Sequence, residues 1–233
     1  MFQIRKSDDR GRGEHGWLSA RHTFSFAGYH DPAHVRFRKL RVMNEDRVAP
    51  GQGFGTHPHD NMEIITYVMS GALEHLDSMG NGSVIPAGSF QRMSAGSGVT
   101  HSEFNPSDSE STHLYQVWVF PSERDIEPTY EEWSLGETTF DGLRLVAAPG
   151  GGPDAEAMKI VADASLYLGR PAAGAELRHA IAPGRHAWVQ VTRGEVGLGE
   201  QTLVAGDGVA VSDEPELTLR ATSDAELLLF DLG

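Results

Sequence analysis

The chain has 233 residues, room for one large domain or two of ordinary size. Hydrophobic residues make up 39%, too many for a disordered chain, and the net charge of −14 argues against a surface that binds nucleic-acid phosphates, which needs clustered Lys and Arg. The absence of cysteine excludes disulfides, thiolate metal sites and a cysteine nucleophile. The first residues, Met-Phe-Gln-Ile-Arg-Lys, lack the apolar run of a signal segment. No stretch approaches the ~20 apolar residues of a membrane span. The expectation is a cytoplasmic protein with neither a membrane nor a nucleic acid as direct partner.

From the N-terminus, the aromatic-rich segment WLSARHTFSFAGYHDP comes first, and Phe24 and Phe26 are read as sealing a barrel end or a domain contact. Strands are predicted at Phe37 to Met43, Glu63 to Met69, Ala72 to Asp77, Ser89 to Ser94 and His113 to Phe120. Turn formers bound most of them: Ser70-Gly71, Met79 to Gly82, Pro86-Ala87-Gly88 and Ala95 to Gly98. His75 is placed at a strand end facing solvent. On the strand from His113, Gln116 and Trp118 share a face, with Trp118 assigned to core packing and Gln116 to the cavity wall. A short helical turn is predicted between Asp125 and Leu135. The run Ala147 to Pro153, with three consecutive glycines between prolines, is the clearest linker. Strands resume at Ala187 to Thr192, Glu195 to Gly199, Val209 to Val211, Glu216 to Ala221 and Glu226 to Asp231. Short strands with turns between them define an all-β sandwich or barrel.

Four residues carry the chemistry. His57 and His59 lie in GFGTHPHDN, and His101 and Glu103 lie in GVTHSEFN. Residues two apart on a strand project from one face, so two neighbouring strands would direct three imidazoles and a carboxylate to one point. That donor set suits a borderline first-row divalent ion such as Fe, Ni, Cu, Mn or Zn. Pro58, between two of the ligands, lacks an N–H and belongs at an edge or bulge, as at an open barrel mouth. Glu63 shares parity with His57 and His59, but four extended residues span ~13 Å at about 3.3 Å each. It reaches the ion only where the chain turns after Asn61. Glu63 is therefore ranked behind Glu103 as a ligand and kept, with Gln116, as a residue just outside the ligand set.

The two halves read as copies. ITYVMSG, ALEHLD and IPAGSF in the first correspond to WVQVTRG, EVGLGE and LVAGDG in the second. Setting Gly71 on Gly194 and Gly88 on Gly206 places Ala180, Ala182, Leu219 and Ala221 at the four ligand positions. One ion per chain is the consequence. His179 and His186 lie near the emptied site but at no ligand position in this superposition.

The motifs HGWLSARHTFSFAGY, GFGTHPHDNMEIITYVMSGALEHLDSMGN and IPAGSFQRMSAGSGVTHSEFNPS resemble those of the pirin family, within the cupin superfamily. Agreement is closest with the bacterial pirin-like proteins that act as quercetinases. The resemblance implies a bicupin of two facing antiparallel jelly-roll-like β-barrels: residues 1–135 as a metal-binding cupin domain and 136–233 as a degenerate one without metal. It also implies His57, His59, His101 and Glu103 as ligands. Family members usually hold Fe(II), and Ni, Cu, Co, Mn or Zn can replace it.

The implied activity is a quercetin 2,3-dioxygenase reaction, in which a flavonol and dioxygen give ring opening and CO. A flavonol is a bidentate enolate once its 3-hydroxyl is deprotonated, and Glu103 is the candidate base. The competing reading is a non-catalytic metal-binding regulatory or interaction protein, as eukaryotic pirins are described to be. A metal-assisted isomerase is a third.

Overall fold

The computed structural model describes residues 1–134, 140, 142–153 and 156–233. The expected junction at 135/136 lies outside them. The described chain is built almost wholly from β-strands, with one 3-10 turn at Ser7–Asp9. Among the described residues no helix is long and apolar enough to cross a membrane.

Each half pairs a seven-stranded sheet with a four-stranded one. In the first half the large sheet runs in the order Thr129–Ser134, Ser89–Ser94, Glu63–Ser70, Thr112–Val119, Leu40–Val48, Leu18–His22, Gly11–Glu14. The small sheet is Gly53–His59, Val99–Phe104, Ala72–Asp77, Gly82–Pro86. The second half repeats the plan, with Gly208–Val211, His186–Arg193, Glu226–Leu232 and Ala164–Gly169 at the centre of its large sheet. Its small sheet holds Glu176–Ala180, Glu216–Ala221, Glu195–Leu198 and Gln201–Val204. This is the bicupin expected from the sequence.

Two local expectations fail. The strand predicted from Phe37 begins at Leu40 and runs to Val48, because Arg38 takes a left-handed turn before it. The helical turn predicted from Asp125 is instead a bend leading into the strand Thr129–Ser134, whose alternating exposure marks an edge strand laid on Ser89–Ser94. Phe2–Arg5 pairs with Gly208–Val211 and so belongs to the second half's sheet.

Side-chain alternation divides the core into separate compartments. On Thr112–Val119, Tyr115, Val117 and Val119 face outward from the first barrel and join Leu40, Met43, Ile65 and Phe90. These meet Leu166, Trp188, Leu228 and Phe230 from the second half's large sheet, so the two large sheets pack face to face. Phe24 packs against Trp188 at a tilt, ring centroids 5.1 Å apart, across this seam, the domain contact expected of it. The second barrel's interior is filled by Leu177, Val189, Val196, Leu203, Leu217, Leu219 and their neighbours. The first barrel holds only small apolar clusters. The space between them is polar and partly open.

Candidate metal centre

That space is a cavity of about 590 Å³. The large sheet supplies one wall with His22, Asn44, Asp46, Gln116 and Trp118, and the small sheet supplies the other with Phe54, His57, His59 and Glu103. Val99–Phe104 runs antiparallel to Gly53–His59 with His101 directly opposite His57. The register then slips by one residue before Glu103 meets Phe54. Such a bulge re-aims the side chains beside it. Gly53 is needed here because a Cβ would collide with the backbone of Glu103 and Phe104.

The three imidazoles converge. Ring centroids lie 4.8 Å apart for His57–His59, 4.5 Å for His57–His101 and 4.9 Å for His59–His101. One nitrogen from each falls within 4.8 Å of the others. His57 Nδ1 donates to the Gly55 carbonyl at 2.8 Å, which leaves Nε2 with its lone pair. His101 Nδ1 lies 3.4 Å from His75 Nδ1, while the buried His101 Nε2 has no hydrogen-bond partner. Burial, then the neighbouring imidazoles His101 and His57, push His59 down to about 4. Burial, then His57 and His75, push His101 down to about 3. Neutral imidazoles with free lone pairs are the ligating form. The orphaned Nε2 and the donor set therefore fit a divalent ion.

Glu103 forms an overlapping group with His101 and His75, its ligand atom within 4.8 Å of theirs. Gln91 Nε2 donates to Glu103 Oε1 at 2.5 Å and Gln116 Nε2 donates to Oε2 at 2.8 Å. Trp118 Nε1 donates in turn to Gln116 Oε1 at 3.2 Å. The carboxylate is thus a fixed anion beside the imidazoles, tied at both oxygens, which suits a mobile base poorly.

Glu63 is not brought to this cluster. The chain does turn at Asn61, which takes a left-handed conformation, but the turn delivers Glu63 into the large sheet. There it is buried and accepts from Ser94 Oγ at 2.7 Å, and burial pushes its carboxyl up.

Three side chains stand elsewhere than expected. His75 is fully buried, not at a solvent-facing end. It is stacked on Tyr130 at 4.7 Å, with Nε2 3.3 Å from Asp77 Oδ2 and Nδ1 toward His101. Its i+2 relation to the buried Leu73 was the available signal. Trp118 packs edge-on to His59 at 4.9 Å and lines the cavity as well as touching the core. Phe26, T-shaped to Trp118 at 5.4 Å, lines the cavity too. Asn44, Asp46 and Gln91 were not singled out in the sequence. The polar triplet Asn-Glu-Asp inside the apolar frame of RVMNEDRV was the clue to the first two.

In the second half the ladder sets Leu219 opposite Leu177 and Leu217 opposite His179. Ala180 and Ala182, the sequence counterparts of His57 and His59, are exposed, so that superposition is out of register on this strand. His179, not Ala180, lies on the inward row. It is bound through Nε2 to Asp231 Oδ2 at 2.7 Å, among leucines. His186 pairs with Ser212 Oγ at 2.8 Å. Among the described residues, groups suited to a metal occur in the first half alone.

Two β-sandwich barrels, one with a histidine-rich cavity and one filled with leucine and valine, define a bicupin with a candidate metal centre in its first half. The Pirin family model matches residues 3–119, and the model for the quercetinase C-terminal cupin domain matches residues 145–232. The chain belongs to the pirin family. It is 46% identical to a protein of Escherichia coli K12 named quercetin 2,3-dioxygenase, over 100% of this chain and 99% of that one. The crystal structure of the E. coli protein YhhW superposes with a TM-score of 0.96 at 45% identity, covering 100% of this chain and 98% of the other. Bacterial pirin YhhW in complex with nickel(II) gives a TM-score of 0.94 at 45% identity, covering 100% and 99%.

Proposed function

We propose that this protein is a metal-dependent dioxygenase that opens a flavonol such as quercetin with O2 and releases CO. The chain is an enzyme of the quercetin 2,3-dioxygenase type by its full-length similarity; the flavonol, the CO and the metal are the proposal. The observation that carries it is the convergence of three imidazoles at an aromatic-walled cavity of about 590 Å³, within the range of small-molecule sites.

In this reading His57, His59 and His101, with Glu103, hold one divalent ion, Fe(II) or Ni(II) foremost. When bound, that ion supplies Lewis acidity toward the enolate oxygen and a route for dioxygen chemistry. The chain supplies the rest. Trp17, Phe26, Phe54 and Trp118 offer flat apolar faces to a planar polyphenol. Gln91 and Gln116 hold Glu103 in place.

The test is loss of the flavonol absorption band together with CO release. A chelator should suppress both and metal should restore them, with elemental analysis giving one ion per chain. Band loss without CO would mean metal-catalysed autoxidation. No turnover with iron, copper, nickel, cobalt or manganese would refute the reading.

A further inference from the structure

One carboxylate in the cavity has no role in the account above. Asp46 sits on Leu40–Val48 between Ala20 of one neighbouring strand and Leu114 of the other. It is 5% exposed and forms part of the cavity wall. Its Oδ1 is buried without a hydrogen-bond partner.

Among the described residues, the other buried acids are all engaged. Glu45 has Arg10, His113 and Tyr115; Glu63 has Ser94; Glu103 has two glutamines. Asp207 has Lys6 and the Ser7 amide, Glu226 has Tyr67 and Thr192, and Asp231 has Arg185 and His179. A buried carboxyl without partners costs stability. A fold that satisfies every other buried acid among the described residues and leaves this one open toward a ligand cavity keeps it for a group that arrives with the ligand.

We infer that Asp46 takes the proton from the enol hydroxyl of the bound substrate. This rests on the flavonol reading above. The substrate O–H bond breaks, a new O–H bond forms on the Asp46 carboxylate, and the electron pair stays on the substrate oxygen as the enolate. The proton passes to water when product leaves. Glu103, tied at both oxygens, is left as the fixed anion of the metal centre.

The charges around Asp46 suit the task. Glu45 lies beside it on the same strand, His22 comes from the adjacent strand, and Glu103, His57 and His59 face it from the small sheet, with His15 at the rim. Burial, then the charges of Glu103 and Glu45, push its carboxyl up to about 7.

The experiment compares wild type with Asp46→Asn and Asp46→Glu, each loaded with nickel(II). Metal content is measured first. Quercetin is then mixed in without oxygen, following the rate at which the absorption band of its anion forms, and turnover is measured in air. The expected result for Asp46→Asn is unchanged nickel content, with the anion band forming at least about tenfold more slowly on anaerobic mixing than in wild type, because the base acts on the rate of proton removal. Its kcat should fall roughly 10²–10⁴-fold with a smaller change in KM. Asp46→Glu should recover part of both. An Asp46→Asn protein with wild-type band behaviour and turnover overturns the assignment. So does loss of nickel, which would make Asp46 a support of the metal site. Wild type that neither shifts the quercetin band nor turns it over sinks the flavonol reading and this inference with it.

Discussion

Asp46→Asn should also make the metal-free protein more stable, increasingly so as pH rises. The folded carboxyl is pushed up to about 7 from an ordinary value of 3.8. A raised value means that the folded state binds the proton more tightly than the unfolded chain does. Its contribution is therefore fully present below about pH 4 and is lost as pH climbs through 7. Three pH units at 1.36 kcal/mol each bound the loss at ~4 kcal/mol, and relaxation or water entry will trim it. Asparagine has nearly the same shape and no proton to lose. Below about pH 4 the two proteins should differ little, and by pH 5 the variant should already lead by roughly 1.6 kcal/mol (about 1.2 pH units at 1.36 kcal/mol each). At pH 8 the variant should lead by about 2–4 kcal/mol, or roughly 5–15 °C in Tm for a chain of this size. Titrating groups remote from Asp46, such as Asp231, are common to both proteins and drop out of the difference, while Glu45 and Glu103, which repel the Asp46 charge, are relieved in the variant and contribute to its lead. Thermal unfolding by circular dichroism in chelator, from pH 5 to pH 9, gives the comparison. A gap independent of pH, or a variant less stable than wild type at pH 8, would refute the reasoning.

His75→Phe should keep the stack on Tyr130 but remove the acceptor that fixes His101, lowering metal affinity about 10–100-fold in chelator competition with the fold intact; unchanged affinity would leave His75 a packing residue only. Glu103→Gln should cost metal retention and turnover strongly, and Glu63→Gln should leave metal content near wild type, because Glu63 lies in the large sheet bonded to Ser94. The reverse ranking, read by elemental analysis and assay, would contradict the site described. Leu219→Ala, at a fully buried position of the second barrel, should cost ~2–5 kcal/mol in denaturant unfolding with metal content unchanged.

What was legible in the sequence was whatever a single strand decides. His57, His59, His101 and Glu103 could be found because period-two spacing fixes a shared face without knowledge of the neighbouring strands. What depended on how strands turn or pair was harder. Glu63 had the right parity, but the left-handed Asn61 sends it to the other sheet. Ala180 had the right offset from a glycine turn, but its strand pairs one residue out of the superposed register, and His179 faces inward instead. His75 was misplaced because Ala72–Asp77 carries apolar residues on both faces, with Leu73 buried and Leu76 exposed, so alternation did not name the inner row.

The two barrels show how one architecture is used in opposite ways. Across the small sheet of the first half, His101 faces His57; across that of the second, Leu219 faces Leu177. The leucines bring apolar area to a core that needs no ligand, and that barrel is filled. The histidines forgo that burial and bring Asp46, Glu103 and Gln91 into the same low-dielectric space, a costly arrangement without a metal and a substrate to meet them. Stability must then come from elsewhere. It comes from the apolar seam where the two large sheets meet, with Leu40, Phe90 and Tyr115 set against Leu166, Leu228 and Phe230. On this argument the second barrel is the support that lets the first stay polar inside, and Leu219→Ala should weaken the fold while leaving the chemistry in place.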